Sequence, residues 1–238
     1  MEKRNILHDG VSIKIFETDD PEKVVIHFTD EITAFNKIKK AVIKDKGIYC
    51  NGISCEISRL LQEGGVPTSF IEKISDTEQL AWKTKVIPME VIVRNVIAGS
   101  MAQRLGLQEG LVPEIPVYDL CYKSDILCDP VINDYHAMAL GLVSKDELER
   151  IYSMTRKVNE ILKPVFEKVG ITLVDFKIEF GYTADGRLVM SDDITPDSAR
   201  FWDKATGERL DKDRFRRDNG RIGDAYRTVY ERLTQGKA

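Results

Sequence analysis

The sequence predicts a protein of mixed α and β structure in two parts, and three observations carry that prediction. The chain has 238 residues, enough for one large domain or two small ones that pack closely. Residues 11–95 are dominated by short β-type runs separated by turns. The remainder contains the two clearest amphipathic helices, over 144–169 and near the C-terminus. We therefore predict an α+β fold with a β-rich unit over 1–85 and a mixed unit over 86–238.

The composition excludes several classes of protein. A count of 35 Lys and Arg against 39 Asp and Glu gives a formal net charge of -4, which argues against a generally basic nucleic-acid binder. No apolar run approaches the ~20 residues that a membrane-spanning helix needs, and the first residues lack the apolar core of a signal peptide. The four cysteines do not have the spacing of zinc ligands. We therefore expect reduced thiols in a cytoplasmic protein that binds neither nucleic acid nor membrane.

In the first unit, β-branched runs alternate with turns. A strand is predicted over 24–28, after an Asp-Asp-Pro turn. Apolar residues at helical spacing predict a helix over 53–63, and two glycines end it. A strand is expected over 67–71, and another over 83–94 with a break at Pro88.

The second unit contains the helix with the strongest signal. Ser144 followed by Glu147 three residues later is a capping box, and apolar residues then repeat at helical spacing over 144–169. Pro164 is expected to kink the last turn. A second amphipathic stretch over 222–233 predicts a C-terminal helix. The apolar stripes of both helices are assigned to the core.

A strictly alternating segment over 173–181 is the most informative for chemistry. Its apolar residues share one face, and its charged residues share the other. The charged face consists of Asp175, Lys177 and Glu179. A turn over 183–187 and a return strand over 188–193 place Asp192 or Asp193 near that face. Such carboxylates suit Mg2+, and a metal beside a lysine suits phosphate, although a solvated sheet face with paired charges explains the pattern equally well.

Two further clusters indicate anion binding less strongly. Arg94 at a strand end is followed by a small-residue turn that contains Ser100, and such a turn can hold a phosphate. A plain turn into a helix is the alternative. Residues 192–218 alternate in charge with little apolar content, as loops that grip anionic substrates do, and a solvated surface loop is again the alternative.

Taken together, these motifs resemble the SAICAR synthetase family over nearly the whole chain. The motifs that carry the resemblance are Ser75-Asp-Thr-Glu78, Glu90-Val-Ile-Val-Arg-Asn95 with Ala98-Gly-Ser100, Arg104-Leu-Gly106, Asp129-Pro130, Leu173-Val-Asp-Phe-Lys-Ile-Glu-Phe-Gly181, Pro196-Asp197 with Arg200 and Trp202-Asp203, and Asp211-Lys-Asp-Arg-Phe-Arg216. The resemblance implies an ATP-grasp-like fold, with nucleotide between a small β-rich N-terminal lobe and a larger α+β lobe. It also implies an ATP-dependent ligase of purine biosynthesis that joins the carboxylate of CAIR, a phosphoribosyl aminoimidazole, to the amine of L-aspartate through an acyl phosphate.

The resemblance also implies roles for individual residues on the nucleotide side. Glu179 and Asp192 match the family's Mg2+ ligands at the ATP phosphates, and Lys177 on the same strand adds a positive charge. The residues expected to bind the nucleotide are Gly10, Ser12, Lys83, Lys177 and Glu179. The implied cofactors are ATP and Mg2+.

On the substrate side, the implied catalytic residues are Asp175, Lys177 and Lys123. The implied substrate-binding residues are Arg94, Ser100, Arg200, Asp129 and Arg214. The first three hold the CAIR phosphate, while Arg214 and the neighbouring basic residues help to hold aspartate or phosphate. Family members are commonly dimers or larger, so the resemblance implies a homo-oligomer, with a dimer as the expected state.

The sequence departs from the family in the nucleotide lobe. The family's Gly-Lys-Ala-Lys turn reads Gly10-Val-Ser-Ile13, and Lys14 falls one position on, which places it on the opposite strand face. Each lost charge-assisted contact is commonly worth ~1.5–3 kcal/mol, so weaker ATP binding is expected unless Lys37, Lys39 or Lys40 compensates. Two alternatives therefore stay open. One is a divergent ligase for another heterocyclic carboxylate or amine, and the other is a non-catalytic binder of a phosphoribosyl ligand.

Overall fold

A computed structural model describes residues 2–35 and 38–236, and a first antiparallel sheet occupies the predicted β-rich unit. In chain order this unit contains β1 (Lys3–Asp9), β2 (Ile13–Thr18), β3 (Lys23–Phe28), β4 (Glu31–Ala34), β5 (Lys39–Val42), α1 (Lys46–Glu63), β6 (Phe70–Lys73) and β7 (Glu78–Trp82). Five of these strands form the sheet in the order β1-β2-β3-β7-β6, while β4 and β5 pair separately. The predicted strand over 67–71 is displaced, because residues 67–69 bond to the backbone of Met190 before β6 begins at Phe70.

Helix α1 is longer than predicted. The sequence indicated 53–63, but the helix begins at Lys46, because its first turns are polar and lack an apolar stripe. These turns are buried nevertheless, and two glycines allow neighbours to approach closely. A Cβ at Gly47 would lie 2.4 Å from the carbonyl oxygen of Phe28, and one at Gly52 would lie 2.3 Å from the ring of Tyr230.

A second antiparallel sheet forms the centre of the remaining chain. Its strands are β8 (Lys85–Arg94), β9 (Val117–Tyr122), β10 (Val131–Ile132), β11 (Ile171–Tyr182), β12 (Leu188–Met190) and β13 (Ala199–Asp203). The order is β10-β9-β8-β11-β12, and β13 also pairs with β11. The predicted break at Pro88 is wrong, because β8 continues through it. The register between β8 and β11 shifts in this stretch, so a proline fits there without the loss of a regular ladder bond.

The predicted return strand over 188–193 is too long. Regular pairing of β12 ends at Met190, and the chain continues without helix or strand to the start of β13. Hydrogen bonds within this stretch replace the ladder, such as that from Ser198 Oγ to the carbonyl oxygen of Asp193, at 2.8 Å. Asp192 therefore lies in a loop beside the sheet.

The helices of the second part are α2 (Gly99–Leu105), α3 (Asp134–Ala139), α4 (Lys145–Lys168), α5 (Asp213–Arg216) and α6 (Ile222–Gln235), with a short 3-10 helix over Asp125–Leu127. The capping box of α4 is confirmed, because Ser144 Oγ accepts from the Glu147 amide and Glu147 accepts from the Ser144 amide. The helix continues past Pro164 to Lys168.

Burial confirms the alternation predicted for β11. Phe176, Ile178 and Phe180 lie in the main core, which also receives residues of α1 and α4. The charged residues between them face away from that core, toward a cleft. The core cluster contains residues from both sides of position 85. In the part of the chain that the structure describes, no disulfide joins any of the four cysteines, and no helix is long and apolar enough to cross a membrane.

Candidate active site

The register of β8, β9 and β11 gathers charged side chains on one face of the second sheet. Asp175 lies opposite Arg94, and Glu179 lies opposite Glu90. Asp119 on β9 lies opposite Ile92 of β8, whose side chain is on the same face as Glu90 and Arg94, so Asp119 shares that face. One face of the second sheet thus carries two groups of charged side chains, one beside the other along the strand direction.

The first group centres on Lys177. Its Nζ lies 2.6 Å from Glu90 Oε1, 3.2 Å from Glu179 Oε1 and 3.7 Å from Asp192 Oδ2. Lys123 pairs with the other oxygen of Glu179. We call Glu90, Lys177, Glu179 and Asp192 the carboxylate–lysine cluster. The structure thus brings Asp192 to the charged face, as the hairpin predicted, although from a loop.

Burial and mutual attraction shift the titration of this cluster. Burial opposes the charge on Lys177, but the carboxylates of Asp192, Glu179 and Glu90 outweigh it and raise the pKa of the ammonium group. Burial likewise opposes the charge on Glu179, yet Lys177 and Lys123 hold its pKa below the ordinary value. Burial raises the pKa of Asp192 to about 8, and the neighbouring carboxylates add to the effect.

The carboxylate of Asp192 is incompletely satisfied. Its Oδ2 is buried and has no hydrogen-bond partner among the described residues, and such an atom in a native structure requires an explanation. The described residues contain no group of three or more His, Cys, Asp or Glu side chains able to hold a metal by themselves. Mg2+ is commonly bound by one or two carboxylates together with substrate phosphates. Glu179 and Asp192 therefore fit a metal that binds together with a phosphate.

The second group centres on two arginines. Arg94 donates from Nε to Asp119 at 2.8 Å, from Nη1 to Asp175 at 3.3 Å and from Nη2 to Ser100 Oγ at 3.3 Å. Arg200 donates from Nη1 to the same oxygen of Asp175 at 2.8 Å. Arg94, Ser100, Asp175 and Arg200 line a cavity of 170 Å³, the anion pocket, together with Lys177. Since Lys177 belongs to both groups, the anion pocket adjoins the carboxylate–lysine cluster.

A larger cavity of 740 Å³, the outer cavity, shares Ser100, Arg200 and Arg216 with the anion pocket. Gly99 forms part of its wall at φ 57, and a Cβ there would lie 2.3 Å from the guanidinium of Arg200, so only glycine fits. Arg217 also lines this cavity. The basic residues beside Arg214 are predicted to hold aspartate or phosphate, and Arg216 and Arg217 are the ones that reach this cavity.

On the other side of the cluster, the turn between β1 and β2 covers a cavity of 340 Å³, the hairpin cavity. Gly10, Val11 and Ser12 line it, opposite Lys123 and Lys177. A Cβ at Gly10 would lie 2.6 Å from the carbonyl oxygen of Ile13, which keeps the turn tight. Asp129 lines the same cavity, and its Oδ1 accepts from the Ser124 amide at 2.8 Å. His8 adds an imidazole to this lining, and the hairpin itself contributes no lysine to it.

A narrow cavity of 40 Å³, the apolar slot, extends between the two sheets. Its apolar walls come from both, and its far end reaches the carboxylate–lysine cluster. The apolar residues that line it are Ile13, Ile15, Ile26, Phe28, Phe70 and Met190, and Asp192 lies at its end. The remaining lining is polar, so an aromatic ring placed between the apolar walls would meet hydrogen-bonding groups at its edges.

Two predicted site residues lie elsewhere. Lys83 pairs with Glu17 at 3.4 Å and lines none of the cavities described above. Arg214 donates to Glu208 and to backbone carbonyls, at 2.8 Å in the case of Gly220, so it holds the turn after α5 together. Arg216, two residues further along α5, lines the outer cavity and the anion pocket instead.

The lysines considered as replacements for the family's hairpin lysines do not line the hairpin cavity where they are described. Lys14 pairs with Asp9 at 2.9 Å. Lys39 donates to the carbonyl oxygen of Phe215 and to Asp218, each at 2.5 Å, and Lys40 is exposed on β5. Lys37 lies outside the described residues.

Fold and site together define an α+β protein with two antiparallel sheets, in which a carboxylate–lysine cluster lies beside an arginine-lined anion pocket. The family model described as SAICAR synthetase matches residues 6–233. The phosphoribosylaminoimidazole-succinocarboxamide synthases of Fusobacterium nucleatum and Clostridium beijerinckii are 50% and 51% identical to this chain, over 100% and 99% of it and 100% of each relative. The chain belongs to the SAICAR synthetase family, which confirms the resemblance drawn from its motifs.

Solved structures agree with this assignment. The synthase from Ehrlichia chaffeensis aligns with a TM-score of 0.94 at 40% identity, over 96% of this chain and 98% of that one. A SAICAR synthetase in complex with ADP aligns with a TM-score of 0.93 at 44% identity, over 97% and 98%. The SAICAR-complexed enzyme of Saccharomyces cerevisiae, at 24% identity and a TM-score of 0.81, shares the fold. The predicted α+β fold is confirmed.

Proposed function

We propose that this chain is an ATP-dependent ligase that joins the carboxylate of CAIR to the amine of L-aspartate and forms SAICAR in purine biosynthesis. Its relatives at 50% and 51% identity, aligned over their whole length, are named for this synthase activity. One structural observation carries the assignment of the site: the anion pocket and the carboxylate–lysine cluster share Lys177. A phosphoribosyl carboxylate in the pocket would therefore lie beside a nucleotide phosphate at the cluster.

Arg94, Ser100 and Arg200 are proposed to hold the phosphate of CAIR. Both guanidinium groups are fixed by Asp175, whose Oδ2 accepts from each of them. Charge-assisted contacts to phosphate are strongest when such donors are already oriented. Asp175 and Lys177 line the wall that the aminoimidazole ring would face.

Glu179 and Asp192 are proposed to hold Mg2+ at the phosphates of ATP. The metal, when bound, would neutralise the negative charge that gathers as a phosphoryl group approaches a carboxylate. Lys177 supplies a fixed positive charge at the same place. The side chain of Lys123 is 43% exposed, and among the described residues its ion-pair partner is Glu179, so it can turn toward a phosphate. Gly10 and Ser12 would cover the phosphates from the hairpin, and the apolar slot would take the base.

The proposed reaction has two steps, phosphorylation of the CAIR carboxylate and attack by the amine of aspartate. A carboxylate oxygen of CAIR bonds to the γ-phosphorus, and ADP leaves. The amine of aspartate then bonds to the acyl carbon, inorganic phosphate leaves, and the amine gives up a proton. The residues of this chain contribute binding and orientation, because the pocket and the cluster hold the two anions side by side at fixed cations.

Aspartate is proposed to enter through the outer cavity. This cavity continues from the anion pocket through Arg200 and Arg216. Arg216 is engaged on one side by Asp213, at 2.5 Å, and Arg217 by Glu109, at 2.7 Å. Each guanidinium retains donors for a carboxylate. Arg216, rather than Arg214, is thus proposed to bind a carboxylate of aspartate.

We also propose an oligomeric state and a cellular location for the protein. Exposed apolar side chains cluster between β9 and α4, such as Ile126 at 93%, Tyr135 at 79% and Leu140 at 63% exposure, and a homodimer would cover them. Sedimentation velocity on the purified chain tests this. A cytoplasmic location is consistent with the lack of a disulfide among the described residues.

The experiment that tests the function is a turnover assay on the purified chain. CAIR, L-aspartate and Mg-ATP are combined, and SAICAR and ADP are measured together by chromatography. We expect the two products in equal amounts, with none when any one substrate is omitted. Complementation of a bacterial strain that lacks this step adds a test in the cell. Absence of ADP release at saturating substrates would contradict the proposal.

A further inference from the structure

Lys46 is a buried cation outside the cleft. It is the first residue of α1, and its side chain is 0% exposed. Its Nζ lies 2.7 Å from Asp197 Oδ2 and 3.2 Å from the carbonyl oxygen of Thr29. A buried charge is costly unless it is paired and hydrogen-bonded. The pair therefore needs an explanation beyond stability.

Asp197 is held from two helices at once. Its Oδ2 meets Lys46 of α1, while its Oδ1 accepts from the hydroxyl of Tyr226 on α6, at 2.9 Å. The two helices are themselves closely packed, since the rings of Tyr49 and Tyr230 lie 5.7 Å apart. The position of Asp197 is thus fixed by the contact between the first and last long helices of the chain.

Asp197 belongs to the loop over residues 192–198, the 192–198 segment, which also carries the proposed metal ligand Asp192. Ser198 accepts at its carbonyl oxygen from the Lys177 amide, at 3.1 Å, and its hydroxyl donates to the carbonyl oxygen of Asp193, at 2.8 Å. At the other end, the Asp193 amide donates to Asp192 Oδ1, at 2.9 Å. The segment has no regular secondary structure, so its shape depends on these bonds and on Asp197.

We propose that Lys46 is a positioning residue of the active site. Through Asp197 it fixes the 192–198 segment so that the unpartnered oxygen of Asp192 faces Lys177 and the nucleotide cleft. The inference rests on the proposed function, because it assumes that Asp192 meets a metal–nucleotide pair. Residues that orient metal ligands in this way commonly contribute about 10–100-fold to metal affinity.

The test measures metal binding without turnover. Binding of Mn2+ in the presence of ADP is followed by the loss of the free Mn2+ signal in electron paramagnetic resonance. Lys46→Met removes the cation but keeps an unbranched side chain that fills the space. Because this variant leaves the buried carboxylate of Asp197 without the ammonium group of Lys46, the double variant Lys46→Met with Asp197→Asn is prepared as well, so that the charge of this carboxylate is also removed.

We expect the dissociation constant for Mn2+ with ADP to rise about tenfold or more in both variants, and Lys46→Arg to recover part of the loss. Arg232→Met is the matched control, since it breaks an ion pair between α6 and Asp203, at 2.7 Å, that includes no residue of the 192–198 segment. It should lower the melting temperature and leave Mn2+ binding unchanged.

Wild-type Mn2+ binding by the folded double variant would overturn the inference, and so would an equal loss in Arg232→Met. If the wild-type chain itself fails to hold Mn2+ with ADP, the proposed function is contradicted and the inference with it. Weak binding confined to the Lys46 variants supports the inference alone.

Discussion

The two ends of the cleft are built in opposite ways. At the anion pocket, Arg94 is 2% exposed and each guanidinium is fixed by buried carboxylates. At the hairpin cavity, the chain offers a tight turn of backbone, and the cations come from Lys123 and Lys177 on the far wall. One end is organised before its ligand arrives, and the other depends on backbone amides and a partly exposed lysine. Substitutions should therefore act differently at the two ends.

The largest effect is expected between the ends, at Asp192. Asp192→Asn should lower kcat by about 100-fold or more, because the metal that would neutralise the charge of the transition state loses a ligand. It should leave the melting temperature unchanged or slightly raised. Burial raises the pKa of Asp192 to about 8, so at neutral pH the ionised form is disfavoured in the folded chain, and its removal costs no stability. Steady-state kinetics and calorimetry decide, and a normal kcat with a lowered melting temperature would refute the assignment.

The preorganised end is tested by Arg94→Met. This change leaves Asp175 and Asp119 with one cation fewer, so it should destabilise the fold by about 3–5 kcal/mol. It should also raise the KM for CAIR at least tenfold while the KM for ATP changes little. Arg104→Met is the control, since Arg104 pairs with Asp119 from the surface, at 3.0 Å. Equal effects of Arg94→Met on both KM values would remove the distinction between the ends.

The hairpin end is tested by adding charge. Val11→Lys places a cation at the hairpin cavity, and one charge-assisted contact is worth about 1.5–3 kcal/mol. We expect the KM for ATP to fall by about tenfold and the KM for CAIR to stay constant. The reciprocal control, Lys14→Val, removes a lysine that points away and pairs with Asp9, and it should leave both constants unchanged. A lower KM for CAIR in Val11→Lys would show that the ends are not separate.

The smallest effect lies outside the cleft. The hydroxyl of Tyr182 and the capping of Ser144 lower the pKa of Glu147 to about 2, against an ordinary value of 4.5. Because the folded pKa is depressed, the stabilisation is present above about pH 4.5 and is lost as the pH falls toward 2. Glu147→Gln should flatten the fall in the free energy of unfolding over this range. Denaturant titrations at several pH values measure it, and a KM that changes as well would tie α4 to the cleft.

The sequence was a good guide where a local pattern fixes direction. Alternation over 173–181 placed Asp175, Lys177 and Glu179 on one face because strand geometry leaves no other arrangement. The capping box placed the start of α4 for a similar reason. The motifs also identified the family, and with it most residues of the anion pocket, where the structure indeed brings together Arg94, Ser100 and Arg200.

The remaining features depend on contacts that are distant in the chain. Lys46 looks like a solvated residue before a helix, and only the fold shows Asp197 beside it. Whether Arg214 or Arg216 reaches the cavity depends on the single turn of α5, which no periodicity predicts. The sequence predicts a strand break at Pro88, whereas β8 continues through it. The irregular pairing that admits this proline involves β11, which is distant in the chain.

The contact between Gly52 and Tyr230 has a consequence for how the chain is made. During synthesis α1 emerges well before α6, the helix that covers it. Until α6 has been made, the buried end of α1, with its lysine, has no partner from α6 or from Asp197. The apolar and charged side chains of α1 therefore stay uncovered for most of translation. Removal of α6 is expected to leave them exposed and to favour aggregation.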